Sequence, residues 1–281
     1  EHHLEVLGGI YDPSDHSTLI ARFGEDSGLS GYSFGCLVLW HRGRTQEAWQ
    51  LSEKALALAN HTRHSLTQAF CYTFRALLDV LNDDPQAVCC HMERVRVIAE
   101  RGDYHLWRTA ADALECWAML RQGERSDVDS LSRAVDDFCS LMYGTSTILQ
   151  RLLIDALVFE GDWERAQVET DRAFGDVKRI GNDVFLPELY RRQGEILAHD
   201  CRHEDALQAF RRAGGIAGEQ GAVLENLRTQ LAILDSGLVH ASDPRFQREL
   251  ETLLNDMSSD ADIELVARGW ELIADSYSLS R

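Results

Sequence analysis

The residues best suited to metal chemistry lie between 199 and 204, where His199, Cys201 and His203 are close in sequence. Imidazole and thiolate groups are zinc ligands, but a closed zinc site needs four of them at defined spacing. The segment also spans the turn between two predicted helices. We therefore expect ordinary surface side chains here and predict no metal site.

Motifs for nucleotide or acyl chemistry are absent from the sequence. A phosphate-binding loop of the Walker type needs a Gly-Lys pair, and the chain contains none. The segment 28–31, Gly-Leu-Ser-Gly, is one residue short of a nucleophile elbow and has no strand before it. Carboxylates are so abundant that neighbouring pairs of them are expected by chance. The sequence predicts no catalytic residue and no cofactor, and we expect the chain not to be an enzyme.

A repeated pattern of small residues is the strongest signal in the chain. Gly43 is followed by Ala48 and Ala55. Glycine permits a sharp corner between two helices, and two alanines on one helix face let the other helix approach closely. Corresponding corners fall at Asp83, Gly123, Gly161 and Cys201, in steps of 40, 40, 38 and 40 residues. A fixed period in this range predicts stacked pairs of antiparallel helices.

One later copy extends the pattern to further residue types. Tyr190 and Gly194 fall in its first helix, and Ala206, Phe210 and Ala213 fall in its second. This combination resembles the tetratricopeptide repeat in its longer form of about 40 residues. The resemblance implies an all-α fold, a right-handed α-solenoid of antiparallel helix hairpins. We expect five clear repeats, a degenerate sixth and a capping helix.

The resemblance extends to a particular class of proteins. Segments 8–16 and 22–28, the first repeat and segment 188–195 are similar to the C-terminal repeat region of bacterial multidomain signalling ATPases. Such proteins often carry a nucleotidyl cyclase or a DNA-binding domain before the ATPase. The resemblance implies a non-catalytic regulatory module that binds protein or peptide. A neighbouring ATPase or cyclase domain of the same polypeptide is one candidate partner.

The predicted organisation has three parts. They are a partial repeat at 1–28, the repeat array at 29–257 and the capping helix at 258–281. Helix pairs are predicted at 29–42 with 46–60, 65–82 with 85–101, 104–122 with 126–141, 145–160 with 163–180, 184–199 with 203–217, and 221–236 with 244–257. A short helix from 14 to 23 precedes them. In the last helix, from 263 to 277, we expect Trp270 and Leu272 to face inward.

Composition excludes several functions. A formal charge of −18 opposes direct nucleic-acid binding, because phosphate contacts need clustered Lys and Arg. Seven cysteines without metal-binding spacing indicate free thiols in a reducing compartment. The sequence shows no signal peptide and no apolar run of about twenty residues. We therefore expect a cytoplasmic chain without a membrane partner.

The surface that could bind a partner follows from the predicted register. First helices of a hairpin array line its concave side, so their exposed stripe decides what the groove accepts. The predicted partner-binding residues are Trp40, His41, Phe70, Leu77 and Trp117 in an apolar half, then Arg151, Asp155, Glu188, Arg191, Glu195 and Arg228 in a charged half. Core packing would equally explain the apolar half, and mutual pairing would explain the charged half.

Three functional hypotheses remain open from sequence. In the leading one, Arg151 and Arg191 anchor a carboxylate of a bound peptide. In the second, Trp40, Trp107 and Trp117 enclose a small-molecule inducer inside the superhelix. In the third, the helices form the scaffold of an enzyme, because fold alone does not exclude catalysis.

Overall fold

The chain is almost entirely helical. A computed structural model describes residues 2–123, 127–142, 147–257 and 263–279. These residues form fifteen α-helices and two short 3-10 helices, and they contain no β-strand. The all-α class expected from the sequence is confirmed.

The helices follow one another with short connections. They are α1 (His2–Ile10), α2 (His16–Phe23), α3 (Ser27–His41), α4 (Thr45–Thr62), α5 (Ser65–Leu81), α6 (Pro85–Gly102), α7 (His105–Arg121) and α8 (Val128–Leu141). The chain continues with α9 (Thr147–Glu160), α10 (Trp163–Ile180), α11 (Leu186–His199), α12 (His203–Gln220), α13 (Val223–Asp235), α14 (Pro244–Asn255) and α15 (Glu264–Leu279). The 3-10 helices are Pro13–Asp15 and Asp183–Phe185. We call α3, α5, α7, α9, α11 and α13 the first helices, and the helix after each the second helix.

The chain divides into two compact units. The first unit comprises Glu1–Trp40 and Gln46–Leu149, and the second comprises His41–Thr45 and Gln150–Arg281. The division of the sequence at 28 and 257 was made by repeat type and stays a prediction.

The backbone turns where the repeat pattern predicts. A left-handed conformation occurs at Gly43, Asp83, Gly123, Gly161 and Cys201, with φ of 76°, 54°, 68°, 77° and 60°. Each of these residues separates a first helix from its second helix. Glycine adopts this conformation without a steric penalty, whereas Asp83 and Cys201 carry a Cβ there.

Aspartates begin several of the second helices. Asp84 and Asp162 accept hydrogen bonds from backbone amides three residues later, at 3.0 and 3.2 Å. Asp127 and Asp243 cap α8 and α14 in the same manner. A side-chain oxygen at this position satisfies an amide that has no partner within the helix. The caps fix where each second helix starts after its corner.

Small and apolar side chains fill the space between helices. The repeated alanines Ala48, Ala55, Ala166 and Ala173 are buried. In the first unit α6 packs between α5 and α7, and α5 also contacts α7. In the second unit α12 packs between α11 and α13, and α11 also contacts α13. Within each unit, first helices therefore contact one another as well as their second helices.

Two features of the fold differ from the sequence-based expectation. Helix α1 was not predicted, and it packs through Leu4 and Leu7 in the core beside α3. In α15 the expected inward position of Trp270 was wrong, because its side chain is 41% exposed. Gly269 faces Leu254 in its place, and a Cβ there would lie 3.0 Å from a Leu254 methyl. Leu272 is partly buried.

None of the helices in the described ranges is both long enough and apolar enough to cross a membrane.

Candidate functional site

The first unit presents a row of aromatic rings across three first helices. Phe34 lies on α3, Phe70 on α5 and Trp107 on α7. The Phe34 and Phe70 centroids are 5.9 Å apart, and the Phe70 and Trp107 centroids are 5.5 Å apart. Phe74 lies beneath, with its centroid 4.5 Å from those of Phe34 and Phe70. We call Phe34, Phe70 and Trp107 the aromatic row.

The aromatic row is only partly covered by protein. Phe34 is 48% exposed, and Val38, one helical turn further along α3, is 44% exposed. Phe70 and Trp107 are half-buried, whereas Phe74 is buried. A contiguous exposed apolar patch of this kind is typical of an interaction surface. The row and Val38 are the strongest candidate surface in the first unit.

Most of the predicted apolar half lies inside the protein. Trp40, Leu77 and Trp117 are 0%, 2% and 2% exposed. Their burial fits the packing interpretation that the sequence left open. Phe70 does belong to the exposed row, and His41 is half-buried. A direct contact of Trp40, Leu77 or Trp117 with a partner stays a prediction.

The predicted charged half forms ion pairs between first helices of the second unit. Arg151 of α9 donates to Glu188 of α11 at 3.1 Å. Arg228 of α13 donates to Glu225 of the same helix at 3.0 Å. Arg191 of α11 lies 3.7 Å from Glu225 and so connects α11 to α13. The pairs therefore join three first helices.

A second set of pairs runs beside the first. Arg191 and Arg192 both donate to Glu195 at 2.8 Å. Arg192 also pairs with Asp155 of α9. The whole ion-pair network comprises Arg151, Asp155, Glu188, Arg191, Arg192, Glu195, Glu225 and Arg228. Four guanidinium groups thus face four carboxylates, so the network is close to neutral.

The centre of the network is removed from solvent, whereas Asp155 and Arg228 at its edges are partly exposed. Arg151 and Arg191 are 7% and 6% exposed, and Glu188 and Glu225 are equally buried. A buried charge that loses its partner is strongly destabilising. A peptide carboxylate could bind Arg151 or Arg191 only by competing with these internal partners. Their proposed use as anchors stays a prediction.

Burial and neighbouring charges act in opposite directions on the network carboxyls. Burial opposes ionisation of Glu225, but Arg228 and Arg191 outweigh it and lower the pKa of Glu225 to about 2. Burial likewise opposes ionisation of Glu188, and Arg151 is the main charge that lowers its pKa. Glu188 and Glu225 therefore stay ionised at neutral pH.

His41 lies close to this network and belongs to the same unit. Burial is the main cause that lowers its pKa from 6.5 to about 4. Arg151 and Arg228 lower the pKa further, against the opposing effect of Glu225 and Glu188. The imidazole of His41 is therefore neutral at pH 7, and the balance of four positive and four negative groups is preserved.

The sequence interpretation missed several residues of these two groups. Arg192 and Glu225 are part of the network, and Phe34 and Val38 are part of the exposed surface. A signal for the network was present, because two of its ion pairs join residues 37 apart. The aromatic row recurs at 36 and 37 residues. The spacings of 36 and 37 residues are shorter than the corner period of 40. Neighbouring first helices therefore contact each other with an offset of about three or four residues along the helix.

The histidines and the cysteine between 199 and 204 lie at the surface of the protein. His199, Cys201 and His203 are exposed, and the ring of His199 stacks on Trp163 with centroids 4.5 Å apart. Within the described ranges, no three His, Cys, Asp or Glu side chains are grouped so that they could hold a metal ion.

A buried Asp-His pair near the N-terminus has a structural explanation. Asp26 accepts hydrogen bonds from the backbone amides of Gly28 and Leu29, at 3.0 and 3.1 Å, and so caps α3. Tyr11 donates to its other oxygen at 2.9 Å, and His16 Nδ1 lies 2.7 Å from the same oxygen. Burial and the bond to Asp26 raise the pKa of Tyr11. These contacts hold α2 and the preceding turn against α3.

Comparison with known proteins assigns no family, since no protein-family model matches the sequence and no curated protein matches it either. The function must therefore be inferred from the side chains of the two units.

Proposed function

We propose that this chain is a non-catalytic module of the tetratricopeptide type that binds a protein or peptide and regulates a larger signalling protein. The observation that carries the proposal is the aromatic row on three successive first helices. Phe34 and Val38 expose nearly half of their surface there. Large apolar side chains at such positions are energetically costly in water, and a partner that covers them recovers that free energy.

A stack of helix hairpins is the architecture that this proposal assumes. Left-handed corners recur at close to 40 residues, and first helices contact the next first helix within each unit. Both properties are those of an α-solenoid of the tetratricopeptide kind, whose first helices line a concave surface. The right-handed superhelix remains part of the proposal.

The ion-pair network has a supporting role in this proposal. Its charges are mutually paired and the central ones are buried, so they contribute rigidity and a defined offset between α9, α11 and α13. In a rigid second unit, a shift in the position of one hairpin would be transmitted to the next hairpin. This property suits a regulatory array joined to an ATPase or cyclase domain.

The small-molecule hypothesis gains no support from the tryptophans. Trp40 and Trp117 are buried, whereas the half-buried Trp107 belongs to the aromatic row. A ligand would have to displace packed side chains to reach Trp40 or Trp117. We therefore favour a macromolecular partner at the exposed row.

The test is a quantitative affinity capture with three versions of the chain. The row variant carries Phe34→Ser and Val38→Ser, which change exposed side chains. The control carries Val97→Ser and Val168→Ser, which are exposed elsewhere, at 42% and 61%. Thermal unfolding first verifies that all three versions fold.

The proposal predicts that at least one protein is captured by the wild type and the control but falls about tenfold with the row variant. A tenfold loss corresponds to about 1.4 kcal/mol, which burial of one such side chain supplies. Equal capture of every protein by all three versions would contradict the proposal.

A further inference from the structure

The geometry points to a basic amphipathic α-helix as the partner that binds the aromatic row. This inference rests on the proposed function, because it names the chemistry of the partner at the same surface. It follows from the spacing of the rings, the width of the apolar surface and the charge of the chain.

The ring spacing matches the repeat of a helix. Successive centroids in the row are 5.9 and 5.5 Å apart. Side chains three or four residues apart on a helix are about 5–6 Å apart, and one turn rises about 5.4 Å. Side chains on one face of an extended strand repeat at about 6.6 Å. A helix laid along the row can therefore place one side chain against each ring or each gap.

The surface is wider than a single line of rings. Val38 lies one turn from Phe34 on α3 and is exposed to a similar degree. Phe74 closes the floor beneath Phe34 and Phe70. An apolar surface with Phe34 and Val38 exposed on α3 and with the half-buried rings of Phe70 and Trp107 beside them suits the broad apolar face of an amphipathic helix.

The net charge of the chain determines which charged residues are favoured on the polar face of the partner. The chain has a formal charge of −18, so its field attracts cations and repels anions. Two arginines of this unit, Arg75 and Arg96, are already paired with carboxylates, whereas Arg108, next to Trp107, lies 2.9 Å from the ring of His105. Arg75 donates to Asp79, and Arg96 pairs with Asp112 and Glu115. Lys and Arg on the polar face of the partner are thus favoured over Asp and Glu.

The experiment uses synthetic labelled peptides and fluorescence anisotropy. The first peptide is an 18-residue amphipathic helix with a Leu-rich face and a Lys/Arg polar face. The second keeps the same apolar face and replaces every Lys and Arg by Glu. The third contains the residues of the first in an order that has no apolar face. Each is titrated with the wild type, the row variant and the Val97→Ser/Val168→Ser control at about 0.1 M salt.

The inference predicts that the basic amphipathic peptide binds the wild type and the control at least tenfold more tightly than either other peptide does. The row variant should lose at least tenfold of that affinity. Equal binding of the acidic twin would overturn the charge assignment. Equal binding of the scrambled peptide would show that charge alone is sensed, and unchanged binding by the row variant would show that the peptide binds elsewhere. Either result would overturn the inference.

Failure of this inference can be separated from failure of the proposed function. If none of the peptides binds, yet the row variant loses a protein in the affinity capture, the row binds a partner of another chemistry. The inference is then wrong and the proposed function stands. If the capture is also unchanged, both are wrong.

Discussion

The first helices of the two units carry different chemistry at matching positions. Six residues before its corner, a first helix of the first unit carries Leu77 or Trp117, and one of the second unit carries Asp155 or Glu195. The apolar residues pack in the core, whereas the acidic residues join an ion-pair network. The same hairpin framework therefore accepts either apolar side chains or an ion-pair network between its helices, provided that each buried charge has a partner.

The apolar contacts and the ion-pair network should respond differently to single substitutions. Removal of an apolar side chain forfeits its own contacts, and neighbours can relax into part of the space. Removal of one charge from the network leaves carboxylates buried without compensation. This contrast should be visible in stability measurements on single variants.

The largest effect is expected for Arg191→Met. Arg191 lies between Glu188, Glu195 and Glu225, so its loss removes the positive charge from the centre of the network. The free energy of unfolding should fall by about 3–5 kcal/mol, measured by urea denaturation. Arg202→Met is the matched control, because Arg202 pairs with Asp205 in solvent. It should change the free energy by less than about 0.5 kcal/mol. Similar losses for both variants would refute a special role for burial.

A smaller effect is expected from pH. The pKa of His41 is lowered from 6.5 to about 4 in the folded chain, chiefly by burial. The unfolded chain therefore binds an extra proton between these values, and stability should fall as pH decreases from about 6.5 toward 4. At pH 5 the loss is about 1–2 kcal/mol, or roughly 2–6 °C in melting temperature.

The control for this pH effect is His41→Gln. A neutral amide cannot take up the proton, so the variant should lose less melting temperature than the wild type between pH 7 and pH 5. Glu188, Glu195 and Glu225 have lowered pKa values in the folded chain, so their effect on stability begins only as pH falls toward their ordinary pKa of 4.5, below this range. Parallel melting curves for the two proteins would show that His41 does not titrate as described.

The smallest effect concerns the corners. Cys201 has φ of 60° and Gly161 has φ of 77° at the equivalent corner. Cys201→Gly should stabilise the chain by about 0.5–1 kcal/mol, because glycine adopts this conformation without strain. Gly161→Ala should destabilise the chain by a similar amount, because alanine is strained in the left-handed conformation. The added Cβ would cause no clash, since it meets only Trp163 at 3.9 Å. Thermal unfolding measures both, and changes of the same sign would contradict the explanation.

The sequence predicted the helices and corners well because their signals are local. The pattern that begins with Gly43 and Ala48 identified five positions that are left-handed corners, including the non-glycine residue Asp83, and a sixth corner lies at Gly237 with φ of 66°. Helix α1 escaped prediction because Gly8 and Gly9 lower its helix propensity, and its stability comes from packing against a distant segment.

The candidate surfaces were predicted less completely. Helical spacing placed Trp40 and Phe70 on first helices, but spacing alone does not separate a buried ring from an exposed one. Mutual pairing within the charged half was one of the sequence-based interpretations, and Arg191 does donate to Glu195 within α11. The pairs between helices depend on the offset of neighbouring hairpins. That offset results from side-chain packing and is not encoded in any one helix.

The glycines of α3 have a consequence beyond packing. A methyl group at Gly28, Gly31 or Gly35 would approach Tyr11, Leu7 or Leu4 to within 2.2–2.6 Å. At these glycines, α1 and the turn after it pack directly against the backbone of α3, with one larger side chain against each glycine. Alanine at Gly28 would displace the ring of Tyr11 and so weaken its hydrogen bond to Asp26, which loosens the N-terminal segment while the corner at Gly43 stays unchanged.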